Sequence, residues 1–260
     1  MTLSLFEHDT AKLRAFPKGW CSMVVVVTAI DYDLAAAARA ISEPARAAML
    51  LRLMDGQAHT ASDLAAAARI APSTASGHLR LLIEAGLVVA VAEGRRRLHR
   101  LASVDVATAI EALAAISPLL PVETLRQAQA GSRLQIARVC YSHLGGRLSV
   151  DVARRLVLDG VIGDLDAPGD GVLRTFDHEL LRGLGIRELS EGRGPCVRGC
   201  RDWTEQEPHI AGRLGSAMLA AMLERRWVTR RSKDRALSVT ALGRDRLAEI
   251  AIATEPIHAE

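Results

Sequence analysis

The chain has 260 residues, of which 49% are hydrophobic and only 3% aromatic, and it carries a formal net charge of +3. This length allows two modest domains whose cores consist of Ala, Leu, Val and Ile, a composition that favours helices. The hydrophobic content excludes a largely disordered chain, and the charge is too small to indicate nucleic-acid binding without a local cluster.

Residues 1–30 are predicted as an N-terminal extension. Its apolar run at 23–30 is too short to span a membrane, so we expect no membrane partner. The run has the length of a weak signal-peptide core, but we expect instead that translation starts at Met23. Four cysteines in a chain of this length do not indicate a disulfide scaffold and fit a cytoplasmic protein.

Helices are predicted in the next part of the chain at 31–41, 44–54, 63–68 and 72–85. Pro44 and Pro72 stand at first-turn positions, and Thr60 or Ser62 caps the third helix. The fourth helix has an apolar side with helical spacing, which should face the core. The short gap between the third and fourth helices is typical of a helix-turn-helix.

A basic hairpin follows this pair of helices. Strands are predicted at 87–91 and 98–101, joined by a turn at 92–95, and a helix capped by Ser103 at 104–116. Four arginines cluster at the hairpin together with His99. A protein that places one helix in the DNA major groove and a hairpin on the neighbouring phosphates needs this order of elements. We therefore predict a winged helix-turn-helix domain at 31–118.

Candidate DNA contacts lie on the helix 72–85, on the hairpin and at the start of the third helix. Hydroxyl groups and free N–H groups at a helix start bind phosphates and base edges. Gly77 stands where a long polar side chain would read bases, so readout there should be weak or shifted to its neighbours. The alternatives are that Ser73 only begins the helix, that His78 only packs, and that the hairpin is a solvated turn. The candidates are Thr60, Ser62, Ser73, Thr74, Ser76, Gly77, His78, Arg80, Arg95, Arg96, Arg97 and Arg100.

Residues 119–131 are predicted as a linker and 132–260 as a helical C-terminal regulatory domain. Residues 82–88 align faintly with 222–228, and both precede a possible hairpin, which suggests a degenerate second winged helix. The expected helices are 132–144, 150–161, 176–184, 209–225 and 241–250, with loops at 163–171 and 185–199 and a hairpin from 227–231 and 237–240.

Cysteines and histidines in the C-terminal half form a candidate metal or redox site. Cys140 and His143 are expected on a helix, Cys196 and Cys200 in a loop, with His209 following. A Cys₃His site for zinc or another thiophilic metal, or a thiol switch, is one interpretation. However, C-x₃-C is not the usual zinc spacing, and structural cysteines are the preferred interpretation.

A small apolar ligand held among the C-terminal helices is a further alternative for the effector. Trp203 and Trp227 are candidates to line such a pocket, although buried tryptophans usually belong to the core.

Three segments within residues 42–101 carry a family resemblance: SEPARAAMLLRLMDG, SDLAAAARIAPSTASGHLRLLIEAGLV and GRRRLHRL. They resemble the ArsR/SmtB winged-helix repressors. The resemblance implies binding to double-stranded DNA, a homodimer formed through the helices 31–41 and 104–116, and repression relieved by an effector. The metal ligands usual in that family are missing, because 60–64 contains no cysteine and 104–116 offers only Asp105 and Glu111.

The expected fold class is mainly α with small β-hairpin wings, and the expected function is a sequence-specific DNA-binding regulator released by a small-molecule, metal or redox effector. Two other functional classes are alternatives. One is an architectural protein that binds DNA without sequence preference, and the other is an enzyme fused to a DNA-binding domain. The chain has no G-x-S-x-G, H-E-x-x-H or C-x-x-C motif and no glycine-rich phosphate loop, so we expect no enzymatic activity.

Overall fold

A computed structural model describes residues 32–118, 121–232, 234–252 and 254. The extension 1–30, with the expected start at Met23, lies outside the described residues. Residues Ala35–Glu260 group into one compact unit. None of the helices within the described ranges combines the length and the apolar character needed to cross a membrane.

The first part of the chain folds as a winged helix-turn-helix. Its sheet has the strand order β1-β3-β2, and both pairings are antiparallel. The elements are α1 (Leu34–Ile41), α2 (Pro44–Leu53), β1 (His59–Thr60), α3 (Ala61–Ala68), α4 (Pro72–Glu84), β2 (Val88–Glu93), β3 (Arg96–Leu101) and α5 (Val104–Ile116).

Local capping explains where these helices begin. Thr60 and Asp63 form a reciprocal capping box, so α3 starts at Ala61, two residues earlier than predicted. Pro72 occupies the first turn of α4, and Ser103 caps α5 through a bond from the Val106 N–H. The predicted helices 44–54, 72–85 and 104–116 are confirmed to within one residue.

A hydrophobic core unites these elements. Ala75, Leu79 and Leu82 form the buried side of α4 and belong to one core with residues of α2, α3, the wing and α5. Burying each Leu or Ile side chain stabilises the fold by about 1.5–3 kcal/mol. This packing determines which side of α4 remains exposed. The core members are Met49, Leu50, Leu53, Met54, Leu64, Ala65, Ala75, Leu79, Leu82, Val88, Leu101, Ala107 and Ile110.

The second part of the chain alternates helices with short hairpins. It contains two two-stranded sheets, β4-β5 and β9-β10, and one three-stranded sheet ordered β6-β7-β8. The elements are α6 (Leu125–Ile136), β4 (Arg138–Cys140), β5 (His143–Gly145), α7 (Arg147–Leu158), β6 (Gly169–Gly171), α8 (Glu179–Gly183), β7 (Val197–Arg201), β8 (Pro208–Ala211), α9 (Gly212–Glu224), β9 (Val228–Arg230), β10 (Leu237–Val239) and α10 (Ala241–Ala248).

The predicted helix 132–144 is wrong. Thr124 and Gln127 form a reciprocal capping box, which starts α6 inside the expected linker, and α6 ends at Ile136. The chain then forms the β4-β5 hairpin, whose turn contains Tyr141 at φ +57°. His209 likewise lies on β8 and not at a helix start, and the end of the expected loop 185–199 belongs to β7.

The predicted hairpin after α9 is confirmed. Val228 on β9 pairs with Val239 on β10, and α10 follows at once. The order α9, β9, β10, α10 therefore matches the order α4, β2, β3, α5 of the first part. The fold is mainly α with small antiparallel hairpins, as expected.

The β4-β5 turn connects the second part to the end of α2. The Tyr141 N–H donates to the Met54 carbonyl at 2.7 Å, and Arg230 donates to the Asp55 carbonyl at 3.0 Å. Gly56, at φ +72°, has no room for a side chain, because a Cβ there would lie 2.1 Å from the Tyr141 carbonyl oxygen. The two parts are thus in direct main-chain contact.

Candidate nucleic-acid interface and cysteine–histidine cluster

The first turn of α4 has free N–H groups at the surface. Its N-cap residue, Ala71, supplies no side-chain acceptor, and Pro72 has no N–H of its own. Ser73 and Thr74 are exposed at this end. The N–H groups of an uncapped helix start, together with two hydroxyl groups, form a favourable position for a phosphate oxygen.

Four of the predicted contacts on and near α4 have partners inside the protein, and one of them, Arg80, forms an exposed ion pair with Glu84 at 3.8 Å. The Thr60 hydroxyl donates to Asp63 at 2.6 Å, and the Ser76 hydroxyl donates to the Pro72 carbonyl at 3.0 Å. His78 is half-buried, with Nδ1 3.4 Å from Arg46 Nη1 and Nε2 3.7 Å from Glu43. These contacts support the alternative that His78 only packs against its neighbours. The remaining candidates in this region are exposed: Ser62, Ser73, Thr74 and Gly77.

The β2-β3 wing presents all four predicted arginines to solvent. Arg96 and Arg97 lie at the start of β3 opposite Glu93 and Ala92, and Arg95 and Arg100 are also exposed. His99 is separate from this basic surface, because it is buried opposite His59 of β1. Burial lowers the pKa of His99, so its ring is neutral at pH 7 and adds no charge to the wing.

Four of the five predicted cysteine and histidine candidates meet in one cluster. Cys140 and His143 are cross-strand partners in the β4-β5 hairpin, and Cys200 and His209 are cross-strand partners in the β7-β8 hairpin. Their sulfur and nitrogen ligand atoms all lie within 4.8 Å of one another. We refer to these four residues as the Cys₂His₂ cluster.

Cys196 does not belong to the cluster. Its sulfur accepts a bond from Arg213 at 2.7 Å. The Cys₃His set, one of the interpretations of the sequence, therefore differs in composition from this cluster. The expected helical position of Cys140 is wrong because this residue ends strand β4. Alternation along a strand and pairing across two hairpins bring the four side chains together, which the spacing C-x₃-C alone does not indicate.

Both histidines of the cluster are neutral at pH 7. Burial lowers the pKa of His143 to about 3, with a further contribution from His209, and burial lowers the pKa of His209 to about 4. The two Nε2 atoms lie 3.0 Å apart. A neutral imidazole retains one unprotonated nitrogen with a lone pair, which is the form that binds a metal ion.

Glu111 of α5 lies beside the two sulfur atoms. The Cys140 thiol donates to one of its carboxylate oxygens at 2.7 Å, and the Cys200 thiol donates to the other at 2.9 Å. The neighbouring Cys200 thiol lowers the pKa of Cys140, but burial and the Glu111 charge outweigh it and raise that pKa. The pKa of Cys200 is raised by the neighbouring Cys140, by burial and by Glu111.

Asp202 supports the cluster from the opposite side. Its side chain is fully buried, with Oδ2 3.3 Å from His209 Nδ1 and 2.7 Å from both Arg138 Nη2 and the Gly146 N–H. Desolvation raises the pKa of Asp202, but the Arg138 charge and the hydrogen bonds from Arg138 and Thr204 outweigh it, so that pKa lies below its usual range. Arg138 in turn stacks on Trp203, 4.5 Å from the ring centre.

Glu111 and Asp202 were not predicted as members of this site. Glu111 is 29 residues from Cys140 and 89 residues from Cys200, so no local pattern joins them. The presence of Asp202 two residues after Cys200 is the only nearby signal, and a single acidic residue is too common to indicate a role.

The C-terminal half also contains a cleft of 770 Å³ between α8, the end of α9 and α10. Trp227 lines it, whereas Trp203 packs against Arg138. The lining mixes apolar side chains with several charged ones, including Arg182, Arg225 and Glu249. The lining of this cleft is therefore partly charged, and the small apolar ligand stays a prediction.

Comparisons with known proteins find a matching family for the first part of the chain and several similar solved structures. Residues 41–91 match the family described as Helix-turn-helix domain. Solved structures that resemble the chain include the cadmium metal-sensor CMTR from Mycobacterium tuberculosis, at 34% identity over 35% of this chain and 94% of that chain, with a TM-score of 0.30. HlyU from Vibrio cholerae is 26% identical over 30% of this chain and 85% of that chain, with a TM-score of 0.29.

A curated relative extends the similarity over most of the chain. The HTH-type transcriptional regulator YdfF of Bacillus subtilis (strain 168) is 40% identical over 208 residues, which cover 78% of this chain and 90% of that protein. The similarity therefore includes much of the second part as well as the DNA-binding part. The chain belongs to the HTH-type transcriptional regulators, and residues 41–91 match their helix-turn-helix domain.

Proposed function

We propose that this regulator is a dimeric, sequence-specific repressor that an effector, bound in the second part of the chain, releases from DNA. The observation that carries the proposal is the shared exposure of the uncapped α4 start and the arginine-rich wing. The buried side of α4 is occupied by core contacts, so its exposed side is available to the major groove. The wing arginines then supply contacts to the flanking phosphates. With DNA as its partner, the protein is expected in the cytoplasm.

Dimerisation is supported by the apolar surface of α5. Leu113 and Ile116 are exposed one helical turn apart near the end of α5, and Ile116 retains 82% of its accessible surface. Exposed apolar side chains grouped on one helix are typical of a surface that binds a partner. A second copy of the chain would also place a second α4 at an adjacent half-site, which a helix-turn-helix protein usually requires.

Effector control is supported by the contacts between the two parts. Glu111 on α5 accepts bonds from cysteines of two hairpins, and the Tyr141 main chain binds the end of α2. A ligand that changes the hairpins would therefore act on helices that hold the DNA-binding core. Repression, rather than activation, follows from the family resemblance and needs a promoter assay.

The test is fluorescence anisotropy with the protein's own upstream DNA and a scrambled duplex. We expect binding to the upstream DNA to be tighter than to scrambled DNA by a factor of about 10³ or more. R96A and R97A should each weaken binding to both duplexes and reduce its dependence on salt, because each removes a phosphate contact. R187A and R193A, which remove exposed arginines from the loop before β7, should have no effect.

Equal affinity for the two duplexes would contradict the proposal and favour an architectural DNA-binding protein. Unchanged affinity and salt dependence in R96A and R97A would remove the wing from the interface. The dimer has its own test in analytical ultracentrifugation, where I116E should produce monomers and a monomeric wild-type protein would contradict the proposed assembly.

A further inference from the structure

We propose that Cys140, His143, Cys200 and His209 bind one divalent thiophilic metal ion of the Zn²⁺ class, and that binding detaches Glu111 from the cysteines and lowers the affinity for DNA. The second half of this inference rests on the proposed function, because it requires specific DNA binding. The site lies outside the positions where the metal sensors that residues 42–101 resemble hold their ligands. Residues 60–64 contain no cysteine pair. Helix α5 contributes none of the four proposed ligands, only Glu111 beside the two cysteines.

The donor set and its spacing match a tetrahedral metal site. Two sulfur and two imidazole nitrogen donors suit Zn²⁺ and its chemical relatives. Metal bonds of about 2.0–2.1 Å to nitrogen and 2.3 Å to sulfur place the ligand atoms roughly 3.3–3.8 Å apart. The donors of the Cys₂His₂ cluster, at 3.0 Å between nitrogens and within 4.8 Å overall, are already within about 1 Å of that spacing.

A second observation, the position of Asp202, favours a cation between the two histidines. The His209 Nδ1 atom is fully buried and has no hydrogen-bond partner of good geometry, but it faces the Asp202 carboxylate at 3.3 Å. A carboxylate there favours a proton on Nδ1 and leaves the lone pair on Nε2, which points at His143. Metal-binding histidines usually have such a carboxylate behind them.

Glu111 cannot keep its hydrogen bonds once the cysteines bind a metal ion. Metal binding replaces each S–H bond by an S–metal bond, and the two protons leave to solvent while no group is oxidised or reduced. The thiolates have no hydrogen to donate, and Glu111 then stands 2.7 and 2.9 Å from two negatively charged sulfurs. We therefore expect the carboxylate to move away from the hairpins.

This movement would act on the DNA-binding core through α5. Ala107 and Ile110, on the same helix as Glu111, are buried in that core, and α5 also contacts the wing strand β3. A shift of α5 therefore changes the support of the wing and the proposed dimer surface together. Coupling energies between two sites usually change affinity by 5- to 150-fold, roughly, and we expect an effect in this range.

The metal site is tested by titrating the full-length protein with Co²⁺, a spectroscopic substitute for Zn²⁺. We expect one Co²⁺ per chain, with a sulfur-to-cobalt charge-transfer band and the intense visible bands of tetrahedral cobalt. C140S, C200S and H209A should lose these bands, while C196S, the matched control in the same region, should keep them. Far-UV circular dichroism checks that each variant is folded. Absence of the bands in the folded wild-type protein, or their persistence in C140S and C200S, would overturn the site.

The role of Glu111 is tested with E111Q. Glutamine has no charge to repel the thiolates, so E111Q should bind Co²⁺ more tightly than the wild type. For the same reason, the loss of DNA affinity on adding Zn²⁺ should be smaller in E111Q. Weaker Co²⁺ binding by E111Q would make Glu111 a ligand and would contradict its detachment.

The anisotropy measurement separates the two proposals. Wild-type protein that binds its upstream DNA specifically should lose affinity about 5- to 150-fold when Zn²⁺ is added and regain it with a chelator. Specific DNA binding that Zn²⁺ leaves unchanged would refute the coupling while the proposed function stands. Co²⁺ binding in a protein that has no preference for its DNA would refute the proposed function while the metal site stands.

Discussion

Gly56 follows α2 and lies against the main chain of Tyr141. We expect G56A to destabilise the protein strongly for two reasons. Alanine is strained at φ +72°, and its Cβ would stand 2.1 Å from the Tyr141 carbonyl oxygen, which has no rotatable bond to relieve the overlap. The strain alone costs about 1–2 kcal/mol, and forced overlap adds about 1–3 kcal/mol. Urea unfolding of both proteins measures this difference.

Gly86 is the matched control for this prediction. Its φ of +70° is close to that of Gly56, but a Cβ at Gly86 meets no atom within 4 Å. G86A should therefore show only the backbone strain, about 1–2 kcal/mol. If G56A and G86A lose the same stability, then the contact between α2 and the β4-β5 turn is not close in solution.

At the scale of secondary-structure elements, Asp202 joins three of them. It binds Arg138 on β4, the N–H of Gly146 before α7, and Thr204 in its own turn between β7 and β8. D202N would leave the Arg138 charge buried without its partner. Breaking a buried ion pair in this way costs about 3–5 kcal/mol, which urea unfolding at pH 7 would measure.

The same ion pair predicts a dependence on pH. The folded-state pKa of Asp202 lies below its ordinary value, so its stabilising contribution is complete above about pH 4 and is lost as the pH falls further. The stability gap between the wild type and D202N should accordingly narrow in acid. E207Q is the control, because Glu207 pairs with Arg154 in an exposed position, and its loss should cost at most about 1 kcal/mol at either pH.

The elements differ in how far the sequence alone predicts them. The starts of α2, α4 and α5 are predictable because their signals are local: Pro44, Pro72 and Ser103 each stand at a helix start. The β4-β5 hairpin is not, because contacts distant in sequence help to hold it. Arg138 on β4, for example, pairs with a residue 64 positions away.

The candidate sites divide in the same way. Helical periodicity predicts the exposed side of α4, and a run of arginines predicts the wing, because both depend on neighbouring residues. The Cys₂His₂ cluster depends on the strand registers of two hairpins. The sequence therefore predicts all four of its residues as candidates but groups them with Cys196. Glu111 contacts the cluster from another part of the chain, and only the fold brings it there.

At the scale of the whole molecule, Ala35–Glu260 should unfold as one cooperative unit. The two hydrophobic clusters are joined by main-chain hydrogen bonds and by the Glu111 contacts, so neither part is independent of the other. In a W20F background, tryptophan fluorescence reports on Trp203 and Trp227 in the second part, whereas far-UV circular dichroism reports on all helices. We expect the two urea transitions to coincide.

The control for this experiment is the G56A protein, in which the junction is weakened. Its two transitions should separate, with the fluorescence change and the loss of helix occurring at different urea concentrations. Separate transitions in the wild-type protein would contradict the single cooperative unit and would indicate two parts that fold independently.

The cross-strand pairing of Cys140 with His143, and of Cys200 with His209, affects how the chain tolerates insertions and deletions. Two residues separate the first pair, and one more would shift the register or force a bulge that takes His143 away from its partner. Eight residues separate the second pair, so that turn can change in length while Asp202 and the strand register are kept. Homologues that share the Cys₂His₂ cluster are therefore better recognised by aligning the two hairpins than by searching for a fixed number of residues between cysteine and histidine.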